Sequence, residues 1–230
     1  MIILNEEEWT ALRLSVQVGL CAVLISLVPA IAIGYFLARR SFPGKWLVQA
    51  MVDLPLVLPP VVTGYLLLVL LGPRGPVGSL LSSWFGWQVV FTWQGAALAS
   101  AIVSFPLMVR AMRLAFQGVD SRLELAARTL GAGRFDTFCT VTIPLSIRGL
   151  IAGCVLAFAR SLGEFGATIM IAGNIEGETR TIPLAIFSMV NRPDGIEQSW
   201  RLVVVSIALA CVALAAGELI ERRQMQRELA

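Results

Sequence analysis

Histidine is absent from all 230 residues, which removes imidazole-based acid–base catalysis and most zinc sites. Charge is scarce too: 14% of the residues are charged, against 57% hydrophobic. A soluble domain of this length lacks the polar surface to cover so much apolar side chain. The four cysteines, Cys21, Cys139, Cys154 and Cys211, show neither CxxC nor metal-ligand spacing, so they read as inert buried thiols with no metal site. No GxxxxGKS or GxxxxGKT loop is present, so the chain cannot cradle and hydrolyse ATP itself. The opening NEEEW is acidic where a cleavable signal peptide would be basic. Nowhere do aromatic and basic residues interleave as on a nucleic-acid surface, and no nucleic-acid partner is expected.

What is present is a series of apolar runs long enough to cross a hydrocarbon core of about 30 Å. Five spans are expected, from Thr10 to Leu37, Trp46 to Leu71, Trp93 to Leu114, Gly149 to Ala172 and Leu202 to Leu219. Basic residues orient them. Arg39, Arg40, Lys45, Arg110, Arg113, Arg122, Arg128, Arg134, Arg148, Arg222, Arg223 and Arg227 fall on one side, and Arg13, Arg74, Arg180, Arg192 and Arg201 on the other. The first side reads as cytoplasmic, with the N-terminus outside and the C-terminus inside. Trp9, Trp84, Trp87, Trp93 and Trp200 then mark the outer interface and Trp46 the inner one. The run from Thr181 to Val190 reads as an interfacial or half-inserted helix; full insertion would make six spans.

Two places in the spans depart from plain apolar helix. DLPLVLPPVVTGY carries Pro55, Pro59 and Pro60, each of which removes a backbone donor. Broken helix is tolerated in a membrane where it faces protein or a water-filled cavity, so this span reads as kinked and lining a pathway, or as kinked for packing alone. ARSLGEFGAT places Arg160 and Glu164 near the middle of the fourth span, four residues apart on one helix face. Gly163 and Gly166 beside the glutamate would let a second backbone come close. The pair reads as a gate, with Glu164 repelling an anion when shut and Arg160 balancing it, or as a packing ion pair. Asp53 reads as a cap or a snorkelling group.

The segment from Leu123 to Pro144, LELAARTLGAGRFDTFCTVTIP, is polar, lies on the basic side and contains no catalytic group. Ser121 is expected to cap a helix beginning at Arg122, with Glu124 in its positive first turn. Ala126 and Ala127 leave it a smooth face. Gly131 and Gly133 would end it, and a second short helix, Phe135 to Thr142, would stop at Pro144. Such a rigid knob joined to two spans is suited to being gripped by a soluble partner.

This segment resembles the EAA signature of ABC-importer permeases, EAA-x3-G-x9-I-x-L-P. Ala126, Ala127, Gly131 and Pro144 match its alanines, glycine and proline at full spacing, and Val141 and Ile143 replace its isoleucine and leucine. Leu125 stands where the motif has glutamate, and Glu124 lies one residue earlier. With DLPLVLPPVVTGYLLL, SFPLMVRA, FARSLGEFGATIMIAGN and GETRTIP, the likeness to permease subunits of molybdate transporters runs nearly end to end; sulfate/thiosulfate permeases are close relatives.

The resemblance implies an all-α, polytopic type I importer permease in a bacterial inner membrane, as a single domain over residues 1–230 with a coupling segment at 121–145. It implies a homodimer, two cytoplasmic ATPases that use ATP and Mg, and an external binding protein that delivers molybdate or tungstate. On this reading Glu124, Ala126, Ala127, Gly131, Ala132, Gly133 and Pro144 serve ATPase coupling, while Pro59, Pro60, Thr63, Arg160, Glu164 and Thr168 belong to the path. A secondary transporter would show inverted repeats, a channel a filter-like repeat, and a membrane enzyme paired acids or a nucleophile motif.

Overall fold

The computed structural model describes residues 4–193 and 195–229, with side chains through residue 219. The side chains of Arg222, Arg223 and Arg227, which weigh in the orientation argument, lie outside the described residues. Among those residues every regular element is helical. Helix α1 (Glu6–Arg39) opens on a capping box: Asn5 Oδ1 accepts from Glu8 N at 2.7 Å, and Glu8 Oε2 accepts from Asn5 N at 2.8 Å. The reciprocal bonds satisfy two donors that a helix start leaves free.

Helices α2 (Lys45–Val57) and α3 (Pro60–Leu71) meet at 107°. The expected kink is a full elbow. Pro60 has no N–H to give, and the residue before a proline is pushed out of the helical region; Pro59 accordingly sits at φ −54°, ψ 132°. Helix α4 (Pro76–Phe85) leads to α5 (Trp93–Gly118), which Thr92 caps by accepting from Gly95 N at 3.2 Å. Helix α6 (Ser121–Thr129) and the single turn α7 (Arg134–Thr137) follow.

A π-helical turn, Phe138–Thr142, joins α7 without a break to α8 (Ile143–Leu162). Pro144 therefore does not stop a short helix before the next span. The ring of a proline collides with the carbonyl four residues back in a regular helix; here the wider turn, in which Ile143 N reaches back to Phe138 O, takes up the misfit.

Helix α8 ends at Leu162 and α9 (Gly166–Ala172) starts after a three-residue break, so the expected fourth span is interrupted. Arg160 is in the last turn of α8, about 24 Å along the axis from Pro144 at 1.5 Å per residue, so the charged pair sits at a helix end rather than within a continuous helix. Helix α10 (Ile182–Val190) covers only about 14 Å, which rules out a sixth crossing. Helix α11 (Gly195–Leu229) closes the chain. Among the described residues, four helices are long and apolar enough to cross a membrane, or five spans if the bent α2–α3 pair is one.

Helix α1 packs along α5 and α8, and small residues set the spacing between α5 and α8. A Cβ on Gly153 would lie 3.2 Å from Ala111 Cβ, and one on Gly149 would collide with Ala115. Such contacts let helix backbones approach closely where lipid supplies no hydrophobic drive. Phe116, Met112, Leu37 and Leu150 fill the core nearest α6, with Tyr35 edge-on to Phe116 at 5.5 Å and to Phe138 at 4.9 Å. Cys21 and Cys154 are half-buried, but Cys139 and Cys211 are exposed on the single chain. Their expected burial is corrected because a single chain leaves one face of these helices uncovered.

Candidate functional site

Helix α6 starts one residue earlier than expected. Asp120, not Ser121, is its cap and accepts from Arg122 N at 2.9 Å. Its end is a paired turn: Gly131 N donates to Arg128 O and Ala132 N to Ala127 O, both at 3.1 Å. This geometry needs a left-handed residue after the cap, and Gly131 has φ +97°. Gly133, expected to help end α6, instead precedes α7 in an extended conformation.

No residue of α6 is buried. Leu125 (58% exposed), Leu130 (89%) and Phe135 (80%) point away from the bundle, while Ala126 is exposed and Ala127 and Ala132 are half-buried. Glu124 points inward. Its Oε1 accepts from Arg39 Nη2 at 2.9 Å and from Thr142 Oγ1 at 2.7 Å, and Arg39 Nη2 also donates to Val119 O at 3.0 Å. Neither Arg39 nor Thr142 stands out in the sequence: one is a topology-marking arginine among many, and the other is an ordinary member of the motif's end.

The second constellation surrounds the α8–α9 break. Arg160 Nη1 lies 2.9 Å from Glu164 Oε2, while Glu164 Oε1 accepts from Ala167 N at 2.8 Å. The carboxylate thus neutralises a guanidinium and satisfies an amide in the first turn of α9. Glu164 is almost wholly buried, whereas the Arg160 side chain keeps 30% exposure. Thr168 turns its hydroxyl back to Glu164 O and Phe165 O, and the Thr63 hydroxyl is buried without a hydrogen-bond partner among the described residues. Pro59 is exposed and Pro60 half-buried.

Of the two glycines beside Glu164, only Gly166 has a backbone against it. A Cβ there would lie 3.0 Å from Pro60 Cβ and 3.1 Å from Val61 N, whereas at Gly163 it would meet only Arg160 O at 4.0 Å. One helical turn beyond Pro60, a Cβ on Gly64 would sit 2.7 Å from Ala167 Cα. The structure thus brings the start of α3 against α9 at Gly166, Gly64 and Ala167. Asp53 does not cap a helix: its carboxylate pairs with Arg110 at 2.8 Å and joins α2 to α5.

At the opposite end from α6, Glu8 pairs with Arg201 at 3.2 Å, and Arg180 binds Asn174 Oδ1 at 2.9 Å and Glu176 at 2.8 Å. A hydrogen bond from Glu7 and then the Arg180 charge hold the Glu176 carboxyl below the usual carboxylate range. The Arg180 contact favours the ionised form, so it persists at neutral pH and is lost as pH falls through the lowered value, whereas the Glu7 hydrogen bond needs a protonated carboxyl and is absent once both groups are ionised.

Comparison with known proteins identifies the family. Residues 30–226 match the family described as "Binding-protein-dependent transport system inner membrane component", and the chain belongs to it. It is 54% identical to the molybdenum transport system permease protein ModB of Escherichia coli K12, over 98% of this chain and 99% of that one. The corresponding protein of Haemophilus influenzae is 50% identical over 96% of each chain. The sulfate transport system permease protein CysW of Synechocystis is 35% identical over 93% of this chain and 77% of that one. A chain of the bacterial alginate ABC transporter, solved in complex with an alginate pentasaccharide-bound periplasmic protein, superposes with a TM-score of 0.75 at 17% identity, covering 95% of this chain and 80% of that one. The fold is the type I ABC-importer permease fold, and the chain is a multi-pass inner-membrane transport subunit rather than an enzyme.

Proposed function

We propose that this member of the family is the permease subunit of an ATP-driven molybdate importer, with tungstate as a second cargo. The observation that carries the reading is 54% identity to a molybdenum permease over 98% of the chain. Sulfate, the alternative, draws support from a more distant relative at 35%.

In this reading the chain works as a homodimer with its N-terminus outside and C-terminus in the cytoplasm. Two partner ATPases, using ATP and Mg, dock on the coupling segment at 121–145. The outward Leu125, Leu130 and Phe135 supply the apolar surface for that contact, and Ala126 allows close approach. Gly131, Ala132 and Gly133 shape the turn, while Pro144 with its π turn carries the segment straight into α8. An external binding protein delivers the anion, as the periplasmic protein in the alginate complex suggests. The membrane path therefore needs little affinity of its own.

Closure of the ATPases would draw the two coupling segments together and rock the spans. The path runs along the α3–α9 crossing, past Pro59, Pro60, Thr63 and Thr168, and Glu164 keeps Arg160 from becoming a trap for the anion. The α8–α9 break is the hinge of the gate.

The test is reconstitution in vesicles with the partner ATPase and binding protein. ATP-dependent uptake of molybdate and tungstate is expected. Uptake of sulfate alone would overturn the cargo, and repeated failure to recover an ATPase with this chain would overturn the permease reading. Unchanged uptake and closure in Glu164→Gln would remove Glu164 from the gate.

A further inference from the structure

Resting on the coupling role assigned to α6, we propose that Glu124 is not a docking contact for the ATPase. It is a positioning residue that locks the coupling helix to α1 and α8, so that displacement of the knob is passed on to the spans. Both oxygen-directed bonds at Oε1 come from within the chain, from Arg39 at the end of α1 and from Thr142 at the end of the π turn. Arg39 at the same time holds Val119 O, in the link between α5 and α6. The end of α1, the α5–α6 link, α6 itself and the π turn thus converge on one ion pair.

The need for such a lock follows from what α6 lacks. None of its residues is buried, so no apolar core anchors it. Its covalent ends are the short link at Val119 and the turn through Gly131 and Gly133, and glycine-bearing turns bend easily. A push on an unlocked α6 would be absorbed in those joints. Charge-assisted hydrogen bonds are shorter and stronger than neutral ones, and these are largely shielded: the Arg39 and Glu124 side chains are 18% and 16% exposed. A carboxylate turned inward to two intramolecular donors is also poorly placed to reach a second protein. The one-residue offset from the family's motif glutamate, with Leu125 in that position, then has a physical meaning: the outward position is apolar and the acid faces the bundle.

The experiment uses the complete transporter with its ATPase and binding protein, and reads two quantities: ATPase recovered with the permease, and molybdate transported per ATP hydrolysed. In Glu124→Gln and Arg39→Gln, recovery stays at the unmodified level while the transport ratio falls about tenfold, as expected for loss of a charge-assisted bond. The exchange Arg39→Glu with Glu124→Arg restores part of the ratio. Thr142→Val lowers it by about twofold to threefold, and Thr142→Ser, which keeps the hydroxyl, does not.

An unchanged ratio in Glu124→Gln and Thr142→Val overturns the lock. So does loss of ATPase recovery in Glu124→Gln, which would make the residue a docking contact. Leu125→Glu, on the outward face, should lose the ATPase. If it keeps both recovery and ratio, the docking surface itself is wrong, a failure separate from that of the lock.

Discussion

Two arginine–glutamate pairs in this molecule have the same 2.9 Å separation and opposite construction. Arg160 and Glu164 are four residues apart, and their pair spans the break between α8 and α9. Arg39 and Glu124 are 85 residues apart and tie separate elements together. In the first, the glutamate is the buried partner at 1% exposure and also accepts from the Ala167 amide in the first turn of α9. In the second, both side chains retain some contact with solvent. Chemical identity and bond length therefore say little about what a pair does. Burial and the number of elements it joins decide whether its loss damages local structure or mechanical connection.

The largest expected effect follows from the buried pair. Glu164→Ala leaves a guanidinium without its partner and the Ala167 amide without its acceptor. Breaking a buried pair in this way costs about 3–5 kcal/mol. Thermal unfolding in detergent should show a large drop in Tm, whereas Glu124→Ala, at a pair whose side chains are 18% and 16% exposed and on a helix with no buried residue, should show a smaller one. Equal drops would erase the distinction. Glu164→Gln sharpens it, because the amide oxygen still accepts from Ala167 N and should recover part of the loss.

Glycines separate the same two regions. Gly64→Val drives side-chain atoms into the Ala167 backbone, since a Cβ at this position would already lie 2.7 Å from Ala167 Cα; overpacking of this kind costs about 1–3 kcal/mol. Gly131 has open space around it, and only its φ of +97° opposes a side chain. Gly131→Ala should cost about 1–2 kcal/mol, and Gly131→Asn less, since asparagine tolerates the left-handed region. The check is unfolding in detergent for all three variants. If Gly131→Asn proves worse than Gly131→Ala, the limit at that turn is space after all.

The periodic and local features of both regions are legible in the sequence. The Arg160–Glu164 spacing and the end of α6 at Gly131 can be read because each depends on neighbours within about one helical turn. Asp120 escapes notice as the cap because Ser121 is an equally good capping type, and the choice between them depends on where α5 releases the chain at Val119. The α8–α9 break is hidden because apolar runs on both sides of ARSLGEFG read as one span continuing across the charges. The Arg39–Glu124–Thr142 convergence is not readable at all: no periodic signal links positions 85 and 18 residues apart, and only the tertiary path of α1 beside α8 brings them together.

The smallest effect is expected where a third pair completes the series. Asp53 and Arg110 join α2 to α5 with side chains 23% and 54% exposed, so water and salt compete for both. Helix α2 has no fully buried residue, although Val48 and Val52 pack against the core that holds Leu37 and Phe116. Asp53→Asn should cost no more than about 1 kcal/mol, the range of solvent-exposed pairs, and the difference from the unmodified chain should shrink as salt is raised. Detergent melts at low and high ionic strength measure this directly. A loss as large as that of Glu164→Ala, unaffected by salt, would mean that the elbow is shielded in the assembled protein as the α8–α9 break is shielded in the single chain. Exposure of the lone subunit would then be a poor guide to which of its pairs hold the membrane half together.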